Sequence, residues 1–588
     1  MTSLTDLLTE HVSAVFVSSD LPAELGKVNV SDRPDLAQFQ CNGAMAAAKI
    51  AKKAPRQIAE DVVSKLKEND IFDSVEIAGP GFINLNVSDS FLQNYLETSI
   101  LGDNFSVPDL GEGNTIVLDY GGPNVGKPMH VGHLRSSIIG DSLRRVFNYL
   151  GYKALGDVHL GDWGTQMGMI ISELEIRNPK WPYFDADFTG PYPEESPVTL
   201  KDFEELYPTA SKACKEDPER HERAKQATVD LQNKRAGYIA LWQHFVNVSV
   251  ASIKTNFGAL NVHFDLWNGE ASVHDLIAPM VEKLKASSHA VDSDGALVVP
   301  VQSEDDTKEI PPLILYKKDG AVMYGTTDLA TLVERMDLYA PSKIVYIVDQ
   351  RQHLHFEQVF RAGRLSGITP DTTELVHVGY GTMNGTDGKP FKTRAGGVMK
   401  LEDLIKMARE KATERLNEAN IGDNLSDDEK HDIATKIGLS AIKFSDLQNN
   451  PVTDYVFDLD RMTSFEGKTG PYILYQAVRI KSLLRKAQEQ GVNIEGRIVI
   501  SEHNKKLVLL MGQLPNVLKG VCKSYSPHIL ADYIYNLAQE FSSFYNSCHI
   551  LSEEDASVKE SHLALCDLVS QQLDVTMGLL GIEIPERM

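Results

Sequence analysis

Between Thr115 and Tyr380 the chain repeats one local pattern: a short apolar run, a loop, then a stretch of helical period. "TIVLDY" opens the series, and "SSIIGDSLRRVFNYLG" follows with Ile138, Leu143, Val146, Phe147 and Leu150 on one face. "YKALGDVHL" is strand-like, and further on "KIVYIVD" and "ELVHVGYG" are separated by the helical "HLHFEQVFRAGRLSG". Strands that alternate with helices are joined by crossovers, which makes the sheet parallel and covers both its faces. The pattern therefore predicts an α/β, doubly wound parallel sheet, with ligands at the carboxyl ends of its strands.

The 588 residues exceed what one core serves, so further domains are expected. Residues 1–107 read as a small α/β unit, with helical "RQIAEDVVSKLKEN" and two strands in "FDSVEIAGPGFINLNV" turning at Gly79, Pro80 and Gly81. "SVPDLGEGN" is a linker. Residues 108–400 carry the repeated pattern, interrupted by an insertion at about 178–320 that includes a long polar helix over about 219–256. Residues 401–460 read as a helical connector and 461–588 as an all-α bundle. No apolar run reaches the roughly 18 residues of a membrane helix. "MTSLTDLLTEHVSAVFVS" has Leu4, Leu7, Leu8 and Val15 at helical spacing among Asp6 and Glu10, an amphipathic helix rather than a signal peptide. Five scattered cysteines form no C-x-x-C, so free thiols in a reducing cytoplasm are expected.

A net charge of −24 argues against a general nucleic-acid coat. The charge is uneven, however: from Arg461 onward 13 Lys and Arg face 14 Asp and Glu. A nearly neutral C-terminal region leaves room for a local basic face.

Chemistry concentrates in residues 119–133, "DYGGPNVGKPMHVGH". Gly121, Gly126 and Lys127 have P-loop spacing, but Pro128 stands where that loop needs a magnesium-binding hydroxyl, and it removes an N–H. His130 and His133 share a helical face but lack the third ligand zinc needs, so no protein metal site is expected. A tight turn with surface histidines is the plain alternative. A phosphate cradle fits better: Pro128 is expected to open the helix, Gly132 to let a ligand approach, and the two imidazoles to sit at its positive N-terminus.

H-x-G-H after the first strand resembles the "HIGH" signature of class I aminoacyl-tRNA synthetases and related nucleotidyltransferases, whose core is a Rossmann-type sheet. That family carries a second signature, K-M-S-K-S, on a loop after the last core strand. Here "GYGTMNGTDGKPFKTRAGG" occupies that place in one of two registers, with Lys389 and Lys392 or with Lys392 and Arg394 as the cations. The F-K-T-R-x-G form is similar to that of arginyl-tRNA synthetases. "PNVGKPMHVGHLRSSIIGD", "HLGDWGTQMGM", "FDLWNGE", "VDQRQHLHFEQ", "FEGKTGPYILYQAVRI" and the closing "LLGIEIPERM" resemble the same family, over nearly the whole chain. Gly121-Gly122 departs from the commoner Ser-Ser.

The resemblance implies a ligase that joins arginine to its tRNA through arginyl-adenylate, with ATP and Mg²⁺, in the cytoplasm and as a monomer. His130, His133, Lys392 and Arg394 would stabilise developing charge. Lys127, His130, Gly132, His133, Lys389 and Lys392 would contact ATP. Asp119, Asn124, Tyr324, Asp328 and Gln352 would hold arginine, and Tyr324 and Asp328, four apart, share a helix face. The C-terminal bundle would read the anticodon, with Arg479, Lys481, Arg485 and Lys486 near Tyr472 and Tyr475 as tRNA contacts. "FQCNGAMAAAK" and "GPGFINL" resemble the appended domain that meets the tRNA elbow. The resemblance also implies that activation requires bound tRNA. A cysteinyl enzyme would need a zinc site, a non-catalytic paralogue would lose the His pair or the basic loop, and a small-metabolite nucleotidyltransferase would not need the bundle.

Overall fold

Strand β1 (Thr115–Asp119) is buried at every position after its first, as an apolar run in a two-sided sheet must be. It is described, with residues 3–318, 320–389, 391, 399–421 and 425–588, in a computed structural model of the chain. Helix α1 (Leu134–Tyr149) follows, burying Ile138, Leu143, Val146 and Phe147 on one face, and returns the chain to strand β2 (Lys153–Asp157).

The insertion contributes helix α2 (Leu200–Glu216), three further helices and a three-stranded sheet. The single helix expected over 219–256 is two, Pro218–Gln232 and Ala236–Ala259. The break falls at Lys234, whose φ of +61° no α-helix accommodates. Helix α3 (Tyr324–Tyr339), strand β3 (Lys343–Asp349), helix α4 (His353–Leu365) and strand β4 (Glu374–Tyr380) complete the unit. The sheet is wholly parallel in the order β4-β3-β1-β2. Its order reverses between β1 and β3, so the ligand crevice is expected outside the carboxyl ends of those two strands.

Residues 28–87 form a separate antiparallel four-stranded sheet, in which Phe72–Ala78 and Phe82–Val87 pair across the Gly79–Gly81 turn. The N-terminal helix Leu4–Val17 buries Leu4, Leu8, Val12 and Phe16. This unit is fastened to the C-terminal helices by Lys519 to Asp6 (2.8 Å) and Lys505 to Asp89 (2.7 Å). After residue 400 the described residues are mainly helical, and their one strand, Tyr455–Val456, pairs with Met383–Asn384. Helix α5 (Asp427–Leu447) packs on helix α6 (Gly470–Glu489), and the long helix α7 (Ala556–Leu579) closes the bundle. The end of α7 docks on α1: Arg145 donates to the Gly578 carbonyl (3.3 Å), and the buried Lys443 of α5 donates to that of Gly581 (2.8 Å). The Arg145 cation at this helix C-terminus complements its dipole, and the joint ties the bundle to the helix that follows the glycine loop.

Candidate active site at the switch point

Beyond β1, Gly121 and Gly122 adopt φ of +86° and +46°, a left-handed turn that glycine enters without strain. The double glycine that departs from Ser-Ser thus enters this turn without backbone strain. Ser136 of α1 pins it, accepting from the Gly121 amide (2.8 Å) and donating to the Ile347 carbonyl of β3 (2.7 Å). Three loops then run side by side as an extension of the sheet. Gly161 donates to the Pro123 carbonyl (3.1 Å), Val125 to that of Gly161 (3.0 Å), and Leu160 to that of Asn268 (2.8 Å). "FDLWNGE" is therefore the outer layer of the site floor.

The helical turn opens at Val131, with His130 as its N-cap. Pro128 lies outside the helix, a correction to its expected place, because an imidazole does the capping. The Gly132 amide donates to His130 Nδ1 (3.1 Å), and the His130 amide donates to His133 Nδ1 (3.1 Å). With Nδ1 accepting from an amide, the His130 ring carries its proton on Nε2, whereas His133 Nδ1 also lies 3.2 Å from the His130 carbonyl and its role there depends on the tautomer. A Cβ on Gly132 would meet the His130 ring at 2.8 Å, so the space beside this glycine belongs to His130, not to an approaching ligand. The rings lie 4.1 Å apart. Burial lowers the pKa of both, helped by Lys127, and that of His133 falls to about 3. Both are neutral N–H donors at physiological pH.

The exit of the basic loop meets this corner. Val131 donates to the Met399 carbonyl (3.0 Å) and Leu401 to that of Met129 (3.1 Å), which stitches the loop's exit to the His pair. At its entry, Phe391 donates to the Met383 carbonyl (3.0 Å), and Gly385–Lys389 forms a turn with the Lys389 side chain exposed. Lys392 and Arg394 lie outside the described residues. Helix α2 lies over both flanks: Tyr207 takes Lys127 on its ring face at 4.2 Å, and Glu204 holds Lys400 at 2.5 Å.

An acidic pocket adjoins this corner. Tyr324 begins α3 with its side chain exposed, and Asp328 sits one turn on, 2.5 Å from His355 Nε2 of α4. Asp119 is buried and occupied, accepting from Arg335 Nη2 at 2.6 Å while Asp157 accepts from the same nitrogen at 2.7 Å. Asn124, on the loop after β1, and Gln352, in the short helical turn after β3, are exposed, and neither side chain has a hydrogen-bond partner among the described residues. Sequence reasoning passed over Glu270, which ends the matched "FDLWNGE". Burial, with Asp162 and Asp328 nearby, pushes its pKa to about 7, and desolvation, with Glu270 nearby, raises that of the Tyr324 phenol. Burial takes Asp162 to about 6. Desolvated carboxylates beside a phenol suit a planar multidonor cation.

Asp119, Asp157 and His159 are the one cluster of metal-ligating groups among the described residues, their ligand atoms within 4.8 Å of one another. The Arg335 guanidinium already stands between the two carboxylates.

The family model of the class I tRNA synthetases (R) catalytic domain matches residues 97–459, which takes in every part of this site. The chain belongs to the arginyl-tRNA synthetase family. The arginyl tRNA synthetase N-terminal domain matches residues 2–87, and the DALR anticodon binding domain 473–588. Relatives include an arginine–tRNA ligase of Alkaliphilus oremlandii, 48% identical over 99% of this chain and 100% of the relative. Another, from Hyphomonas neptunium, is 49% identical over 100% of both. Among solved structures, the arginyl-tRNA synthetase of Plasmodium falciparum matches at a TM-score of 0.80 and 26% identity, covering 100% of both chains.

In the synthetase's C-terminal bundle, the four expected tRNA contacts on α6 separate. Arg479 stacks on Tyr545 at 3.7 Å and lines one cavity with Tyr475, Lys486 and Met588. Lys481 is held by Glu586 (2.9 Å) and Asp574 (3.4 Å), and Arg485 is exposed beside neither. Arg479→Ala is accordingly expected to raise the KM for tRNA about tenfold, the worth of one stacking contact. Lys481→Ala should move it less than about threefold and lower the Tm instead, because an ion pair within the bundle is lost. Aminoacylation kinetics and thermal melts check the contrast.

Proposed function

We propose that the chain charges arginine tRNA in two steps at this switch point. The arginine carboxylate attacks the α-phosphorus of ATP, the bond to the bridging oxygen breaks, and pyrophosphate leaves arginyl-adenylate. A terminal ribose hydroxyl of tRNA, the 2′ by class habit, then attacks the activated carbonyl and AMP departs. No side chain becomes covalently bound, so positioning and charge stabilisation supply the rate.

His130 and His133 donate Nε2–H to phosphate oxygens as charge develops, and Lys127, Lys389 and the Lys392/Arg394 segment serve the departing pyrophosphate. ATP arrives with Mg²⁺ on its own phosphates, and no side chain is assigned to that ion. Tyr324, Asp328 and Glu270 take the guanidinium, while Asp119, Asn124 and Gln352 take the α-amino and carboxyl end. A monomer in the cytoplasm completes the reading, and five free cysteines suit that compartment. The observation that carries the reading is the junction of a desolvated acidic pocket with a neutral imidazole pair on one loop.

Arginine-dependent ATP–pyrophosphate exchange, with and without tRNA, tests it. Exchange in the presence of tRNA is expected, silence in both conditions overturns the enzyme reading, and exchange driven by another amino acid overturns the specificity.

The raised pKa of Glu270 adds a sign. Below about pH 7 its carboxyl is protonated in the empty pocket, and guanidinium binding must expel that proton. The KM for arginine should therefore rise up to about tenfold per unit as pH falls below 7. Glu270→Gln should give a high KM without that slope, and an unchanged slope in the variant would assign it to another group.

A further inference from the structure

Arg335 is the largest fully buried side chain among the described residues, 1% exposed, and it lies beneath the amino-acid pocket. It shares a face of α3 with Tyr324 and Asp328, at offsets of 11 and 4 residues from the helix start. One helix thus brings a phenol to the mouth, a carboxylate to the wall and a guanidinium to the floor.

The guanidinium serves two carboxylates from two strands, Asp119 ending β1 and Asp157 ending β2. Only Nη2 is used; Nε and Nη1 have no hydrogen-bond partner among the described residues. The Tyr346 ring lies 5.1 Å away on β3, and His159 Nδ1 lies 4.0 Å from Asp157. Holding a helix to a sheet does not require this arrangement. Well-packed apolar side chains do it as well or better, since burying ions costs several kcal/mol each. What three charged groups supply, and three leucines would not, is a carboxylate at a fixed point. Asp157 and Arg335 are each 1% exposed, whereas the Asp119 side chain keeps 12%. The triad therefore presents one anion toward the loop that also carries Asn124 and His130.

We propose that Arg335 is a positioning residue of the amino-acid pocket, the fixed counter-ion that holds Asp119 for substrate and fills the cation position shared with Asp157 and His159. The proposal rests on Asp119 contacting arginine. Without the guanidinium, Asp119 and Asp157 repel each other, one takes up a proton, and Asp119 turns away or loses its charge. A substrate cation, or an adventitious one, could then enter the gap out of register.

Steady-state exchange with tRNA present, on R335Q, R335K, D119N and D119N/R335Q, tests this. R335Q should raise the KM for arginine about 30-fold and the KM for ATP less than about threefold, the loss of a buried pair felt at one substrate. R335K should recover most of that loss, because a single nitrogen does the bonding. The double variant should be no worse than D119N, since Arg335 acts through Asp119. If R335Q does not fold, D157N/R335Q, which removes one charge of each sign, carries the same comparison. An unchanged KM for arginine in R335Q, equal losses for both substrates, or additive effects in the double variant would overturn the proposal. If D119N alone leaves the KM for arginine unchanged, the reading of Asp119 fails and the proposal with it. A D119N effect without an R335Q effect removes only the role of Arg335.

Discussion

Replacing His130 with alanine should lower kcat for arginine-dependent pyrophosphate exchange about 100- to 1,000-fold, the usual loss for one preorganised donor to a transition-state oxyanion. The KM values for arginine and ATP should stay within about threefold, because a donor that engages only developing charge adds little to ground-state binding. His130 has two tasks that a second variant separates. Its Nδ1 caps the helix by accepting from Gly132, and its Nε2–H remains for substrate. Asparagine is a good N-cap and also carries an amide donor, so His130→Asn should keep the melting temperature and lose less activity than alanine. Alanine should also cost about 1 kcal/mol of helix stability. Equal kcat in alanine and wild type would remove His130 from the chemistry. The charge state gives an independent check. With both imidazoles held neutral by burial, kcat at saturating arginine should be flat as pH rises through 6.5. A fall there would mean an imidazolium does the work.

The parallel sheet was legible because "TIVLDY", "KIVYIVD" and "ELVHVGYG" are apolar runs too short for helices and too continuous for a sheet with one wet face. The helix break at Lys234 was not, since a lysine in a left-handed turn carries no local signature. Pro128 misled for a related reason: proline favours the first turn of a helix, but a histidine capping through Nδ1 overrode that preference. His130, His133 and Asp328 could be found by motif and periodicity. Glu270 and Arg335 could not be assigned that way, although one closes a matched stretch and the other continues the Tyr324–Asp328 face. Their roles depend on desolvation and on strands 178 residues or more away in sequence, and only the folded chain supplies either.

Asp328→Ala should raise the KM for arginine about 100- to 1,000-fold, in line with the 2–5 kcal/mol lost when one partner of a desolvated, hydrogen-bonded charge pair is truncated. Asp328 stands near Glu270, whose carboxyl is half-neutral near pH 7 in the empty pocket. Its present partner is His355, at 2.5 Å. That contact fixes the carboxylate's orientation, and a carboxylate has acceptor sites enough to keep the histidine while taking a guanidinium. His355→Ala should thus raise the KM for arginine by about tenfold, less than Asp328→Ala, because orientation is lost but charge is kept. Asp328→Asn separates charge from shape: if the ionic contact dominates, asparagine should behave nearly as badly as alanine. In all three variants the KM for ATP should move by less than about threefold, since the His pair is built on another helix. Parallel losses for arginine and ATP would point to collapse of the α3–α4 packing, whereas an undisturbed KM for arginine in Asp328→Ala would move the guanidinium site away from this helix.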